Sequence, residues 1–224
     1  MDNMEEKTIN IITLGEAGVG KTSILNRIVN KIFYEKEPST ATFNNFYLKR
    51  KYEKKNLNMI INFVDTIGQE KYASLPNSYM KDSHIVLLVF DSIETLNVIK
   101  ERWYEYYKKN ANVENSRFIL IGNKSDLFED ERQEIIREGE KFSEEIDALF
   151  MTCSAKSADN IDNLERFIVT EAKRFIDAEE MKNSSIASAT FINSTINNGD
   201  NRFSLNKNQN KRSFSFRKKI KKCC

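Results

Sequence analysis

Three of the chain's seven glycines fall within six residues, in the stretch GEAGVGKT at residues 15–22. Glycine costs backbone entropy unless a position needs an unusual φ or a close approach, so the cluster predicts a loop that wraps a ligand. The apolar run Ile9–Leu14 precedes the loop and a helical pattern starts at Thr22, which is the setting of a phosphate-binding loop. A plain strand-to-helix turn is the alternative. The residues predicted to bind phosphate are Gly15, Ala17, Gly18, Val19, Gly20, Lys21, Thr22 and Ser23.

The polar residues of this loop have their own predicted tasks. Successive backbone N–H groups and the helix N-terminus supply partial positive charge to a polyphosphate. Lys21 would reach the β- and γ-phosphates, and the Thr22 hydroxyl would bind Mg²⁺. ATPases, nucleotide kinases and GTPases share such a loop, so the base has to be identified elsewhere in the sequence.

The motif NKSD at residues 123–126 follows a buried apolar strand and points to guanine. Ligands gather at the carboxyl ends of strands in open α/β sheets. The Asp126 carboxylate can accept from the ring N–H and the exocyclic amine of guanine, a donor pair that adenine lacks. The stem of Lys124 would cover the ring, Asn123 would tie this loop to the phosphate loop, and Ser154-Ala155-Lys156 would offer backbone amides to the guanine oxygen.

A third motif, DTIGQE at residues 65–70, adds the groups that act on a terminal phosphate. Asp65 ends a predicted strand, where its carboxylate can hold Mg²⁺ through water, and the Gly68 N–H can meet a γ-phosphate. Gln69 can orient an attacking water without being a strong base, as phosphoryl transfer to water requires. An ordinary turn would leave the spacing of these three residues unexplained.

Other residues with reactive or aromatic side chains are predicted to be structural. His84 precedes an apolar strand and reads as a surface or capping residue, because no acid–base partner is indicated. Cys153 is predicted to pack as a small hydrophobe. Trp103 and the tyrosines that follow it have near-helical spacing, which favours a packing face. The sequence shows no cluster of His and Cys that would bind a metal.

The order of apolar runs and helical patterns predicts an α/β fold: a six-stranded, mostly parallel sheet with one antiparallel edge strand and helices on both faces. The predicted strands are Ile9–Leu14, Phe43–Tyr52, Met59–Val64, Ile85–Phe90, Phe118–Ile121 and Leu149–Cys153. The predicted helices are Thr22–Ile32, Glu70–Met80, Glu94–Tyr107, Arg132–Phe142 and Ile161–Phe175. From about Asn183 the periodicity stops, so a flexible segment is expected there.

Composition bounds the classes of protein to consider. With 224 residues, 40% of them hydrophobic, the chain predicts one well-buried domain. Residues 183–224 hold nine Lys and Arg against one acid, Asp200, so with a total charge of +2 the rest of the chain is acidic. This asymmetry argues against a nucleic-acid-binding body and for a tail that meets an anionic surface. No secreted disulfide framework, signal segment or membrane span is expected.

Taken together, the motifs resemble those of small GTPases of the Ras superfamily, and among these the Rab family, over residues 8–176 and again at the last two residues. The quoted motifs at 15–22, 65–70 and 122–126, with CSAK at 153–156, carry the superfamily resemblance. Rab-like features are KYASLPNSYMKDS at 71–83, LLVFD at 87–91, Trp103 and Cys223-Cys224. The resemblance implies the P-loop NTPase (small G protein) fold, a GTPase domain at 8–176, an N-terminal extension at 1–7 and a flexible tail at 177–224.

The resemblance also implies two residues of the first switch segment. Thr40 would bind Mg²⁺ and sense the γ-phosphate, although Thr42 competes for this role because the residues after Thr40 depart from the Rab pattern. Phe33 would pack edge-on against guanine, or else end the first helix as a core residue. Further departures are Ile67 and Ala17, whose methyl near the γ-phosphate would slow hydrolysis. Ile67 and the altered first switch leave open a nucleotide-dependent binding module with little hydrolysis.

As a Rab-like GTPase, the protein would be a GTP/GDP switch in vesicle traffic. Its implied cofactors are Mg²⁺ and bound GTP or GDP. Its implied partners are an exchange factor, an activating protein, a dissociation inhibitor or escort, and effectors, but no nucleic acid, and the protein itself would be monomeric. Geranylgeranyl groups on Cys223 and Cys224 would hold it at the cytoplasmic face of an endomembrane, with a cytosolic pool. A basic tail that binds nucleic acid or acidic protein is the alternative.

Overall fold

A computed structural model of the protein describes residues 4–36, 40, 43–66, 77–127 and 132–197, and side chains only as far as Lys182. The chain divides into two compact units, Met1–Met181 and Lys182–Cys224. The sheet and the candidate site lie in the first unit. Gly68, Gln69, Thr42 and the cysteines at 223 and 224 lie outside the described residues.

The strands of the described residues form one sheet with the order β2-β3-β1-β4-β5-β6. The β2–β3 pair is antiparallel, and the β1–β3, β1–β4, β4–β5 and β5–β6 pairs are parallel. This confirms the predicted mostly parallel, six-stranded sheet with an antiparallel edge strand. The strands are β1 Glu6–Leu14, β2 Asn44–Tyr52, β3 Leu57–Asp65, β4 Ile85–Phe90, β5 Arg117–Gly122 and β6 Leu149–Thr152.

Helices cover both faces of the sheet, and strand β4 shows why. All six of its residues are buried, because alternate side chains enter two different apolar clusters. Ile85, Leu87 and Val89 pack in the cluster with α1 and α6; the other three pack in the cluster with α2 to α5. The helices are α1 Lys21–Val29, α2 Asn77–Lys81, α3 Ile93–Val98, a π-helical turn Ile99–Trp103, α4 Tyr104–Asn110, α5 Arg132–Glu145 and α6 Ile161–Asn197.

Helix α6 is longer than the sequence predicted. Regular structure was expected to stop near Asn183, but the helix continues to Asn197. The sequence from 161 to 197 contains neither glycine nor proline, and Gly199 follows it. Extending an existing helix costs little per residue compared with starting one, so a polar sequence without a breaker can continue it. No helix of the described residues has the length and apolar character to cross a bilayer.

The first unit includes residues on both sides of the predicted 8–176 domain. Strand β1 already includes Glu6 and Lys7. On α6, Asp177 accepts a hydrogen bond from the Tyr52 hydroxyl at 2.9 Å, and Lys7 pairs with Glu179 at 3.4 Å. These contacts fasten α6 to β1 and to the end of the β2–β3 hairpin.

Candidate functional site

The loops that follow β1, β3, β5 and β6 leave the same edge of the sheet, because these four strands are parallel. A cavity of about 350 Å³ opens at that edge. Most of the predicted site residues of the described chain line it: Ala17, Gly18, Gly20, Lys21, Thr22, Ser23, Phe33, Thr40, Asn123, Lys124, Asp126, Ala155 and Lys156. Four predicted site residues do not line the cavity: Gly15, Val19, Asp65 and Ser154.

The backbone of the phosphate loop needs glycine at two positions for steric reasons. Gly15 has φ 152°, and a Cβ there would lie 2.2 Å from the Val89 carbonyl oxygen. Gly20 has φ 91°, and its Cβ would meet the Asn123 amide nitrogen at 2.3 Å. Gly20 is also the N-cap of α1 and provides no side-chain cap. The N–H groups of the first turn are therefore available to an anion at the cavity.

Lys21 is buried inside its own loop. Its Nζ donates to the carbonyl oxygens of Gly15 and Glu16, both at 2.9 Å. Burial lowers the pKa of Lys21 to about 8, while the nearby carboxylates of Asp65 and Glu16 oppose this shift. A polyphosphate in the cavity would favour the charged ammonium further, so anion binding and protonation of Lys21 support each other.

Three oxygen-bearing side chains meet beside the phosphate loop. The Thr22 hydroxyl donates to Asp65 Oδ2 at 2.7 Å and lies 2.9 Å from the Thr40 hydroxyl oxygen. A carboxylate and two hydroxyls are hard oxygen donors of the kind that Mg²⁺ prefers, so this donor set fits the ion. The structure thus brings together the three residues predicted to hold the metal.

Asn123 connects the phosphate loop to the loop after β6. It is 1% exposed. Its Nδ2 donates to the Val19 carbonyl oxygen at 2.8 Å, and its Oδ1 accepts the Ala155 N–H at 3.2 Å. Buried Val19 lies in the apolar core, so the Asn123 side chain connects the middle of the phosphate loop to the loop after β6.

The predicted base-reading carboxylate is oriented by a neighbour. The Ser154 hydroxyl donates to Asp126 Oδ1 at 2.6 Å, and Asp126 lines the cavity. Two of the backbone amides at 154–156, the segment predicted to offer amides to the guanine oxygen, bond within the protein. The Ser154 amide donates to the Asp159 carbonyl oxygen and the Ala155 amide to Asn123, because the loop uses them to fix its own shape.

Lys124 is held in place by an ion pair that the sequence did not reveal. Its φ of 61° is unusual for a residue with a side chain. Its Nζ lies 2.7 Å from Asp91 Oδ2 at the end of β4. The other carboxylate oxygen of Asp91 accepts from the Thr95 hydroxyl at 3.0 Å. The ion pair therefore connects the loop after β5, which carries Lys124, to Asp91 and, through Thr95, to the start of α3.

Sequence reasoning also missed Arg27, on the helix that follows the phosphate loop. Its Nε donates to the Ala155 carbonyl oxygen at 2.6 Å and its Nη2 to that of Lys156 at 2.8 Å. The guanidinium also lies 5.4 Å from the centre of the Phe33 ring. Phe33 lines the cavity and is packed, partly buried, against the core. It lies beyond the end of α1 at Val29, so it does not end that helix, and its contact with guanine stays a prediction. Carbonyl acceptors leave no mark in a sequence, and no signal could have found Arg27.

A phosphate-binding loop, a hydroxyl and carboxylate donor set and an aspartate-bearing loop at one edge of a mostly parallel sheet define the class of phosphate-loop proteins with the small G protein fold. The sequence model of the Ras family matches residues 10–174. The chain belongs to the Ras family of small GTPases.

Two relatives place the chain near the Rab branch. It is 34% identical over 129 residues to Ras-related protein RABG1 of Arabidopsis thaliana, a match that covers 55% of this chain and 62% of that protein, less than two thirds of its length. It is 32% identical over 165 residues to Ras-related protein Rab-5B of Plasmodium falciparum (isolate 3D7), covering 72% and 76% of the two chains. Within its family, the chain is a Rab-like GTPase.

Proposed function

We propose that this protein is a Rab-like GTP/GDP switch that regulates membrane traffic. GTP with Mg²⁺ would order the segments around Thr40 and residues 68–79, effectors would bind that form, and hydrolysis would release them. The observation that carries this proposal is the position of Thr22, whose hydroxyl contacts both Asp65 and Thr40. One group beside the phosphates thereby links strand β3 to the first switch segment.

Thr22, Thr40 and Asp65 would hold the Mg²⁺, whose charge would neutralise part of the charge on the phosphates. Lys21 adds a buried ammonium that remains fixed by its two carbonyl contacts. Gln69 would orient the attacking water. Turnover without an activating protein should be slow, on the order of 10⁻⁴ to 10⁻³ per second, as for small GTPases that receive their catalytic arginine from a partner.

The base assignment rests on Asp126. Its carboxylate lines the cavity and can accept both guanine donors. In Asp126→Asn the amide can instead donate to the extra carbonyl of xanthine, so we expect GDP affinity to fall and XDP affinity to rise. Competition of GDP and XDP for the purified protein measures this exchange.

Asp147→Asn is a matched control for that substitution. It makes the same chemical change at an exposed residue that pairs with Arg117 at 3.2 Å, away from the cavity. Asp147→Asn should keep the wild-type preference for GDP. Unchanged GDP affinity in Asp126→Asn would refute the assignment of guanine to this loop.

The membrane part of the proposal concerns the basic segment and the cysteine pair that follow residue 210. Lys211, Arg212 and the five basic residues at 217–222 precede Cys223 and Cys224. One lipid chain gives only marginal membrane binding, so geranylgeranyl groups on both cysteines would provide a stable anchor. Each basic residue could add up to about 1 kcal/mol at an anionic cytoplasmic leaflet, and binding should weaken with salt.

Serine at both cysteines tests the anchor. The double variant Cys223→Ser with Cys224→Ser should bind nucleotide normally and appear in the soluble fraction of cells, because the lipid attachment atoms are gone. Fractionation of cells that express each form, with GDP binding measured on the same material, makes the comparison. A double variant that still sediments with membranes as the wild type does would contradict lipid anchoring.

A further inference from the structure

The only tryptophan of the chain contacts the phosphate loop. Trp103 is 1% exposed, and its indole Nε1 donates to Glu16 Oε1 at 3.1 Å. The Arg102 guanidinium approaches the same oxygen at 3.6 Å. A buried indole N–H needs an acceptor, and a carboxylate makes the stronger, charge-assisted kind of hydrogen bond. Two consecutive residues of one helical turn therefore converge on one side chain of the phosphate loop.

The turn that carries them is not an ordinary α-helical turn. Residues Ile99–Trp103 form a π-helical turn, in which the Tyr104 N–H bonds to the Ile99 carbonyl oxygen five residues earlier. Single π-helical turns inside helices occur frequently at functional sites. Here the turn lies between α3 and α4, at the point where the helix passes the phosphate loop.

Glu16 acts on the loop through two different groups. Its side chain is held by Trp103, while its own carbonyl oxygen accepts the Lys21 ammonium at 2.9 Å. The glycines at 15 and 20 have positive φ, so the loop's own residues restrict its backbone weakly. A side-chain contact from outside the loop is therefore a direct means of fixing where Lys21 and the backbone amides point.

We propose that Glu16 is a positioning residue for polyphosphate binding, and that Trp103 and Arg102 hold it so that the phosphate loop is preorganised before nucleotide enters. This inference rests on the proposed function, because it assigns the loop's ligand as the phosphates of GDP or GTP. The competing explanation is that Glu16 only satisfies the buried indole N–H, in which case its loss affects stability and not nucleotide.

Nucleotide release separates these explanations. The full chain is loaded with N-methylanthraniloyl-GDP in Mg²⁺ and chased with excess GDP, and the release rate is measured for the wild type, Glu16→Ala, Trp103→Phe, the double variant and Glu16→Gln. We expect Glu16→Ala and Trp103→Phe each to release nucleotide about tenfold faster, which corresponds to about 1.4 kcal/mol. The variant that combines Glu16→Ala with Trp103→Phe should release nucleotide no faster than either single variant, because each substitution alone already removes the contact between Glu16 and Trp103.

Glu16→Gln provides the conservative rescue. Its amide oxygen can still accept the indole N–H, so its release rate should stay within about threefold of the wild type. Glu105→Gln is the matched control, because Glu105 lies on α4 and pairs with Lys108 instead of the loop. That control should match the wild type. If Trp103→Phe fails to fold, comparing the release rates of Glu16→Ala and Glu16→Gln is sufficient to decide between the two explanations.

Each result has one meaning. A wild-type chain that takes up no labelled GDP refutes the proposed function itself. A wild type that binds and releases slowly, with Glu16→Ala equally slow but lower in thermal midpoint, refutes the positioning role and leaves the proposed function intact. Additive effects of the two substitutions, or a Glu16→Gln release rate as fast as that of Glu16→Ala, would also overturn the inference.

Discussion

Replacing Asn123 by alanine removes the side chain that joins the phosphate loop to the loop after β6. The substitution leaves the Val19 carbonyl and the Ala155 N–H without this partner, and both residues are almost fully buried. An unsatisfied buried polar group costs about 1–3 kcal/mol, so for two groups we expect Asn123→Ala to lower the free energy of unfolding by about 2–6 kcal/mol. That is a large part of the stability of an ordinary domain.

Urea unfolding followed by circular dichroism measures the loss. Bound nucleotide stabilises the native state by an amount that depends on its concentration, so the titration is run at two GDP concentrations to separate folding from binding. Asn163→Ala is the control, since Asn163 is exposed and bonds only locally, to Asn160 at 2.7 Å. Its free energy of unfolding should change by less than about 0.5 kcal/mol.

A second variant distinguishes the bond of Asn123 to Val19 from its bond to Ala155. Asn123→Asp keeps the size of the side chain and an acceptor for the Ala155 N–H, but it directs an oxygen at the Val19 carbonyl oxygen. We expect it to be at least as unstable as Asn123→Ala. A loss below about 1 kcal/mol in both variants would show that Asn123 does not join the loops, and the reasoning from burial and hydrogen bonding would be wrong.

Two further predictions concern protonation and hydrolysis. Burial lowers the pKa of His84 below 6.5, against the smaller opposing effect of Glu179, so the folded state binds fewer protons than the unfolded one. Its contribution to the free energy of unfolding should be complete above about pH 6.5 and decline as the pH falls below that value. Urea unfolding at pH 7.5 and 5.5 should therefore show a smaller loss of stability in His84→Gln than in the wild type. Gln69→Leu should keep GTP affinity but slow hydrolysis stimulated by an activating protein at least tenfold, about 1.4 kcal/mol of barrier, in single-turnover assays. Equal stimulated rates would argue against Gln69 as the group that orients water.

The sheet could be predicted because its evidence is local. Strands with apolar runs and helices with their own period follow one another along the chain. Several predicted ends match the structure, among them both ends of β4 at Ile85 and Phe90 and the end of β2 at Tyr52. Helix α6 was predicted too short, since the sequence after Asn183 has no apolar face but also no breaker. His84 was predicted to be a surface or capping residue. It is half-buried, its Nδ1 accepts the Asn10 backbone N–H at 3.1 Å, and its ring contacts Phe175 of α6.

In the candidate site, too, the features that could be predicted are local in the sequence, and those that could not join distant residues. The motif residues could be found because each motif is contiguous. The contact of Glu16 with Trp103 joins residues 87 apart, and the contacts of Arg27 with the 155–156 carbonyls span 128 and 129 positions. Any carboxylate can accept an indole N–H, and every residue has a carbonyl, so residue types alone do not pair such partners.

The bond between Asn123 and Val19 also has a consequence for the order in which the protein is made. The two residues are 104 positions apart. At about 5–20 residues per second, the ribosome adds Asn123 roughly 5–20 seconds after Val19. During that interval the nascent phosphate loop lacks its bond from Val19 to Asn123, and α6, which covers one face of the sheet, is made later still. The phosphate site proposed above is therefore completed only after α6 has been made.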